Sequence, residues 1–378
     1  MNNLLDILNK SVNYLEKKNI KNARLTAESI ISEVMEMERI MLYAEFERTL
    51  SEDDLKKIRE KLNDIVNDDK KISENNGFEN MEKSEKQLKL LLDKSISYLK
   101  KNNIDESKLI AEIVFSHVLN TDRMMLFTKY RDEIENEKIE KIRYFIQKIG
   151  REKFPVQYLL NEQEFYGRKF YVDKGVLIPR QDTEVLVEKM IEILKNNILK
   201  NKNLEKNLKI HPKILDIGVG SGIIGITAAL EIKDSYVLGV DISEKALEIA
   251  KKNKELLKVS NIKFLKSNLF ENIEFKQFDM IVSNPPYISL NEAGIMSDDT
   301  LLHEPSEALF AENDGLYFYY EICQKALDYL ADFGYLLFEI GYKQGKNVAE
   351  IMTSSGFKNV EVIKDLAGLD RVVVGQKL

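Results

Sequence analysis

The stretch Lys213-Ile214-Leu215-Asp216-Ile217-Gly218-Val219-Gly220-Ser221-Gly222-Ile223-Ile224-Gly225 changes character twice. Lys213 to Ile217 is an apolar run of strand length, Gly218 to Gly222 a glycine-rich turn, and Ile223 to Leu230 an apolar run that reads as a helix. Glycines let the backbone turn tightly and come close to a ligand, and the N-terminus of the helix beyond them favours a carboxylate or a phosphate. The next strand, Val237 to Val240, ends in Asp241, which suits a ribose diol. Gly220, Gly222 and Gly225 satisfy the GxGxxG spacing, so a dinucleotide-binding dehydrogenase fits this stretch taken alone, and a purely structural glycine turn is the bland alternative. The pattern names an adenosine-bearing ligand better than it names a chemistry.

Downstream the alternation continues. Ala246 to Leu257 is a helix, Ile262 to Leu265 and Phe278 to Val282 are strands, Leu316 to Leu330 is a helix, Tyr335 to Ile340 a strand and Gln344 to Ser354 a helix, with strands Val360 to Ile363 and Val372 to Val374 at the end. This predicts an α/β fold with a doubly wound, largely parallel sheet, whose last two strands are antiparallel because their connection is short. Ligands bind such sheets beyond the carboxyl ends of the strands. The glycine loop, Asp241, Asn268 and Asn284 should therefore converge on one cleft.

Asn284-Pro285-Pro286-Tyr287 stops the Phe278 to Val282 strand abruptly. Neither proline has an N–H for a sheet ladder, so the turn is stiff and its carbonyls point away from neighbouring strands. An amide before it and an aromatic ring after it make a pocket for a flat group bearing N–H donors.

Upstream, Leu177-Ile178-Pro179-Arg180-Gln181-Asp182-Thr183-Glu184 leads into a helix, Val185 to Leu199, with Thr183 or Asp182 as its cap, and Asn201 to Asn207 reads as a solvated loop. Phe154 to Tyr158 and Glu164 to Tyr171 read as a β-rich connector over 154–175. Residues 1–66 read as helices, with Leu4, Ile7, Leu8, Val12 and Leu15 at helical spacing and Ser51 capping a third helix. Residues 67–86 are polar, contain Gly77 and read as a linker. The first module then begins again over 87–153: Ser11, Leu15, Asn19, Glu28, Arg39 and Met41 recur as Ser95, Leu99, Asn103, Glu112, Arg123 and Met125, a constant offset of 84. Shared polar positions mark a duplication rather than a common helical pattern.

Composition bounds the reading. At 378 residues several domains are expected, and a net charge of −7 argues against nucleic acid as a direct partner. Cys323 permits no intrachain disulfide, and three histidines without HExxH or CxxC spacing leave no metal site in prospect. No apolar run approaches the ~20 residues of a membrane span and no secretion signal opens the chain, so a cytoplasmic, monomeric protein is expected.

The Asp-x-Gly-x-Gly-Ser-Gly loop, the acidic end of the next strand and Asn-Pro-Pro-Tyr together resemble S-adenosylmethionine-dependent amino-methyltransferases. From about Leu88 to Leu378 the chain resembles the release-factor glutamine methyltransferases of the HemK/PrmC family: Pro155-Val156-Gln157-Tyr158, Ile178-Pro179-Arg180, His303-Glu304-Pro305, Phe338-Glu339-Ile340-Gly341 and Asp365-Leu366-Ala367-Gly368 stand in the family's order. The resemblance implies a Rossmann-like methyltransferase domain over 176–378, with a mostly parallel seven-stranded sheet and an antiparallel last strand, preceded by small all-α modules. It implies S-adenosylmethionine as cofactor, no metal, and peptide chain release factors as protein substrates, methylated on the glutamine amide of Gly-Gly-Gln and docked by the 87–153 module.

Carried onto this sequence, the catalytic residues are Asn284, Pro285, Pro286 and Tyr287. Asp216, Gly218, Val219, Gly220, Ser221, Gly222, Asp241, Ile242, Asn268, Leu269 and Asn284 face the cofactor, and Arg180 with the Asn-Pro-Pro-Tyr turn meets the substrate. The expected mechanism is positioning, with the Asn284 oxygen and Pro285 carbonyl accepting the two amide N–H bonds and Tyr287 packing on the amide plane. Glu304, Glu339 and Arg371 read first as structural, Arg371 at the last turn, and Arg180 as a contact to the cofactor carboxylate or to a backbone carbonyl. The chain departs from the family pattern in its extra module, in Asn268 for an acidic residue, and at Gln181 and Leu369. A glutamine methyltransferase of a ribosomal protein, an adenine or guanine methyltransferase of nucleic acid, and a helical scaffold are the alternatives.

Overall fold

The computed structural model describes residues 3–74, apart from 19, 21–22, 36, 38–41 and 43–47, and then 87–199 and 211–378. Asn19, Arg39 and Met41 of the repeat and the predicted loop at 201–207 lie outside these residues. The chain divides into two compact units, Met1–Glu85 and Lys86–Leu378.

In the first unit, helices α1 (Leu4–Lys17), α2 (Ala23–Val34) and α3 (Glu52–Glu74) enclose Leu4, Leu8, Leu15, Ala27, Ile31, Leu55, Ile58 and Leu62. Ser51 caps α3 as expected, its Oγ accepting from the Asp54 N–H at 3.2 Å while the Asp54 carboxylate accepts from the Ser51 N–H. The helix runs on to Glu74, into the stretch read as a linker, because no Gly or Pro interrupts it before Gly77.

The second unit opens with the same arrangement: α4 (Leu88–Lys101), α5 (Ser107–Leu119) and α6 (Asn136–Glu152). The offset of 84 holds in three dimensions. The β-bridge Asn3↔Thr49 recurs as Gln87↔Glu133, and the Ser11 hydroxyl bond to the Ile7 carbonyl recurs as Ser95 to Leu91, both at 2.8 Å. The third helix repeats too: Leu55, Ile58 and Leu62 correspond to buried Ile139, Ile142 and Ile146.

The connector corrects one expectation. Val156–Leu160 is a helical turn (α7), started by Pro155 with its fixed φ of −58°, and only Gln163–Phe165 (β1) and Arg168–Phe170 (β2) form a hairpin. Helix α8 (Thr183–Ile193) follows, continuing as a π turn through Leu194–Leu199. Asp182 precedes it but makes no side-chain cap; its carboxylate pairs with Arg371 at 3.0 Å instead.

The sheet contains β3 (Lys213–Ile217), β4 (Tyr236–Asp241), β5 (Ile262–Lys266), β6 (Phe278–Ser283), β7 (Leu330–Glu339), β8 (Lys358–Lys364) and β9 (Asp370–Gln376). Their order is β5-β4-β3-β6-β7-β9-β8, and β9 runs antiparallel to both its neighbours while β3 to β7 are parallel. The strand β7 begins at Leu330, earlier than expected, because the backbone turns extended directly after helix Tyr317–Tyr329. Side chains alternate across the sheet: Ile214, Met280 and Val282 pack with α8 and helix Ile223–Glu231 on one face, and Leu215, Ile217 and Ile281 pack with Tyr319, Ile322, Val348 and Met352 on the other. Both faces are covered, as a parallel sheet requires. Among the described residues no helix is long and apolar enough to cross a membrane.

Candidate active site

Register places the site. Ile217 pairs with Val240 on one side and with Ser283 on the other, and Ser283 pairs with Phe338. One residue further along each strand therefore stand Gly218, Asp241, Asn284 and Glu339, in a row across the carboxyl edge. The order reverses between β3 and β6, the topological switch point at which such sheets open a crevice.

Two cavities meet there. One, of about 420 Å³, is bounded by Gly218, Val219, Gly220, Ser221, Asp241, Ile242, Asn268 and Leu269. The other, of about 330 Å³, is bounded by Tyr287, Ile288, Met296, Thr300, Leu309 and Glu339. Asn284, Pro285, Arg180, Leu177 and Ala308 belong to both, so the Asn-Pro-Pro turn stands at the junction.

The glycine loop is shaped by carboxylates. Gly218 and Gly220 have φ of +76° and +53°, and a Cβ on Gly218 would meet nothing within 4 Å, so the backbone is bare toward the first cavity. Asp241 Oδ2 accepts from the Gly220 N–H and Oδ1 from the Ser243 N–H, each at 2.9 Å, while burial raises its carboxyl above the usual range. Asn268 donates Nδ2 to Glu271 at 2.9 Å, which turns its Oδ1 free as an acceptor. The bare loop, a ribose-suited carboxylate, an amide acceptor and apolar walls fit an adenosine with a charged tail.

Two expected cofactor residues lie elsewhere. Asp216 lines neither cavity; it is fully buried, its Oδ2 accepts from the Gly225 N–H at 2.8 Å, and burial pushes its carboxyl up to about 7. Gly222 also faces inward, where a Cβ would come 2.8 Å from Ile226. Both shape the loop from within the fold. Tyr287 borders only the second cavity, with burial raising its hydroxyl far above the phenol range.

Arg180 contacts Glu304, whose side chain is fully buried and whose other oxygen accepts from the Ile178 N–H at 2.9 Å. The Pro179-Arg180 segment is thus tied to the His303-Glu304-Pro305 segment, and Arg180 is a wall of both cavities rather than a ligand to a backbone carbonyl. Arg371 holds Asp365 of the last turn at 3.0 Å, as expected, and reaches Asp182 as well.

Two residues escape a sequence reading, and a third, Glu339, reads there only as structural. Asn253 accepts from the Tyr171 N–H at 2.6 Å and donates to the Ser221 carbonyl at 2.8 Å, tying the connector to the glycine loop. Gln344 donates to the Tyr287 carbonyl at 3.0 Å and fixes the exit of the Asn-Pro-Pro-Tyr turn. Glu339 is 1% exposed beside Asn284 and Thr183, and burial pushes its carboxyl up to about 7. The sequence signal for it is the Phe338-Glu339-Ile340-Gly341 motif, which gives it no role at the site. Among the described residues no cluster of His, Cys, Asp and Glu is arranged to hold a metal.

Family models match in two parts: the PrmC N-terminal domain at residues 6–67 and again at 91–160, and the methyltransferase small domain at residues 197–317. The release factor glutamine methyltransferase of Fusobacterium nucleatum is 42% identical over 349 residues, covering 92% of this chain and 94% of that protein. That length exceeds what the second unit alone supplies, so the likeness takes in the extra module. The release factor glutamine methyltransferase of Clostridium botulinum is 40% identical over 295 residues, 77% of this chain and 99% of that protein, and the one from Thermodesulfovibrio yellowstonii is 37% identical over 267 residues, 71% and 91%. With its glycine loop, its Asn-Pro-Pro-Tyr turn and these relatives, the chain is an S-adenosylmethionine-dependent methyltransferase and belongs to the release factor glutamine methyltransferase family, HemK/PrmC.

Proposed function

We propose that this enzyme methylates the side-chain amide nitrogen of the glutamine in the Gly-Gly-Gln motif of peptide chain release factors. The observation that carries the reading is the junction of two cavities at Asn284 and Pro285, one suited to an adenosine ligand and the other to a flat side chain. When bound, S-adenosylmethionine supplies a sulfonium methyl group whose sulfur leaves as a neutral thioether.

The chain's residues do the rest by position. An amide nitrogen is a poor nucleophile because its lone pair is delocalised into the carbonyl, so geometry must substitute for a strong base. Asn284 Oδ1 and the Pro285 carbonyl accept the two N–H bonds, which aims the lone pair at the methyl carbon and stabilises the positive charge that grows on nitrogen. No backbone N–H among the described residues donates to the Pro285 carbonyl. In the transfer the N–C bond would form as the S–C bond breaks, and one nitrogen proton would pass to solvent, leaving a neutral N-methyl amide. Tyr287 faces the glutamine cavity and packs against the amide plane, and Asp241 and Asn268 hold the ribose and adenine. The 87–153 module docks the protein substrate.

The test is incubation with labelled S-adenosylmethionine and purified release factor, ribosomal protein, DNA or RNA. Label on a release factor that vanishes when its Gly-Gly-Gln glutamine becomes Ala, and that drops at least a hundredfold in Asn284→Ala with cofactor binding intact, supports the reading. Label confined to nucleic acid or ribosomal protein refutes it.

A further inference from the structure

We propose that Glu339 is a positioning residue for methyl transfer: it sets the polarity of a short hydrogen-bond relay through Thr183 that turns the Asn284 amide nitrogen inward and its oxygen toward the substrate. The inference rests on the role given to Asn284 above.

The relay is read from position and from donor inventory. Ser283 and Phe338 are paired in the sheet, so Asn284 and Glu339 leave their strands side by side. Asn284 Nδ2 donates to Thr183 Oγ1 at 3.4 Å, and the Glu339 carboxyl, leaving the paired strand, lies beside both residues. Thr183 is 1% exposed and Glu339 equally so, which keeps water from competing. An Asn amide looks nearly the same either way round, and only its neighbours decide which end faces the cleft. An ionised carboxylate has no proton to give. It compels the Thr183 hydroxyl to point at it, which leaves the Thr183 lone pairs for the Asn284 N–H. Were the carboxyl protonated, it could donate to Thr183, the hydroxyl could donate to Asn284 Oδ1, and the acceptor meant for the substrate would be occupied.

Burying a carboxylate to anchor a strand end would be a poor solution, since Glu339 Oε2 is buried with no hydrogen-bond partner among the described residues. An acceptor that cannot donate is what the relay requires. The charged and titratable groups around it are Arg371 from β9, Asp182 ahead of α8, Tyr287 from the Asn-Pro-Pro-Tyr turn, and Tyr319, whose hydroxyl donates to the Glu339 backbone carbonyl at 3.0 Å. Arg371 alone among these favours the ionised form, while burial pushes the carboxyl up to about 7.

The test is methyl transfer to release factor by the full-length enzyme between pH 6 and 9. The wild-type rate should fall on the acid side with a midpoint near 7. Glu339→Gln, which can donate, should lose roughly ten- to a hundredfold in kcat at pH 8.5, lose the acid limb, and keep its KM for S-adenosylmethionine within about twofold, because Glu339 does not border the first cavity. An acid limb unchanged in Glu339→Gln would belong to another group, such as Asp216, and would overturn the proposal. Thr183→Val should reproduce the kcat loss and Thr183→Ser restore the rate, which keeps the relay testable if Glu339→Gln does not fold. Should Asn284→Ala remain active, the underlying reading fails. An inactive Asn284→Ala alongside Glu339→Gln and Thr183→Val at wild-type rates would sink the relay alone.

Discussion

Gly315 supports the Asn-Pro-Pro-Tyr turn from behind, and Gly315→Ala should break it. Asn313, Asp314 and Gly315 have φ of 52°, 53° and +80°, three consecutive residues in left-handed conformation. A Cβ on Gly315 would stand 2.1 Å from the Tyr287 carbonyl oxygen and 2.9 Å from its carbonyl carbon, against a normal carbon–oxygen contact of roughly 3.3 Å. Backbone must therefore move by about 1 Å. The Tyr287 carbonyl is also where Gln344 donates at 3.0 Å, so the displacement strains that bond, worth about 1 kcal/mol, on top of about 1 kcal/mol for alanine in a left-handed conformation. A stability loss of roughly 2–3 kcal/mol is expected, a fall of several degrees in melting midpoint. The rate should suffer more, because a 1 Å shift of positioning groups costs on the order of a hundredfold. Gly315 does not border the first cavity, so cofactor affinity should change by less than about threefold. Methyl transfer under saturating cofactor, calorimetric titration with S-adenosylhomocysteine and thermal melting make the assay. A variant with kcat within about threefold of wild type and an unchanged melting midpoint would refute the reasoning.

Two further predictions concern buried carboxyls. Asp216 keeps its proton in the folded chain up to about 7, against a reference value of 3.8, so between these values the native state binds more protons and stability falls as pH rises, by roughly 1.4 kcal/mol per pH unit. Asp216→Asn, whose amide oxygen still accepts from Gly225, should flatten that slope in urea midpoints taken at pH 5, 6 and 7, with Glu339 carrying the remainder; an unaltered slope counts against it. Arg180→Met removes the cation beside fully buried Glu304 and should cost about 2 kcal/mol, less than the usual 3–5 because the Arg180 side chain is 41% exposed. Adding Glu304→Gln should recover most of that loss, and a double variant as unstable as the sum of the singles would show that the pair is not coupled.

The sequence by itself determined the alternation of strands and helices, the glycine loop, the Pro-Pro stop and the duplication, because each rests on local chemistry: periodicity, the missing N–H of proline, the freedom of glycine, a fixed offset. It went astray where local chemistry is ambiguous. Val156–Leu160 has strand-like composition yet turns helical behind Pro155. Only the tertiary structure decided what joins the glycine loop, Asp241 and Asn284 at the carboxyl edge. Strand register aligned Glu339, fifty-five residues from Asn284 in the chain, with the Asn-Pro-Pro-Tyr turn, and Gly315 and Gln344 reached Tyr287 from segments whose own sequences announce nothing. Such meetings depend on pairing between distant strands, and no spacing within the chain records them.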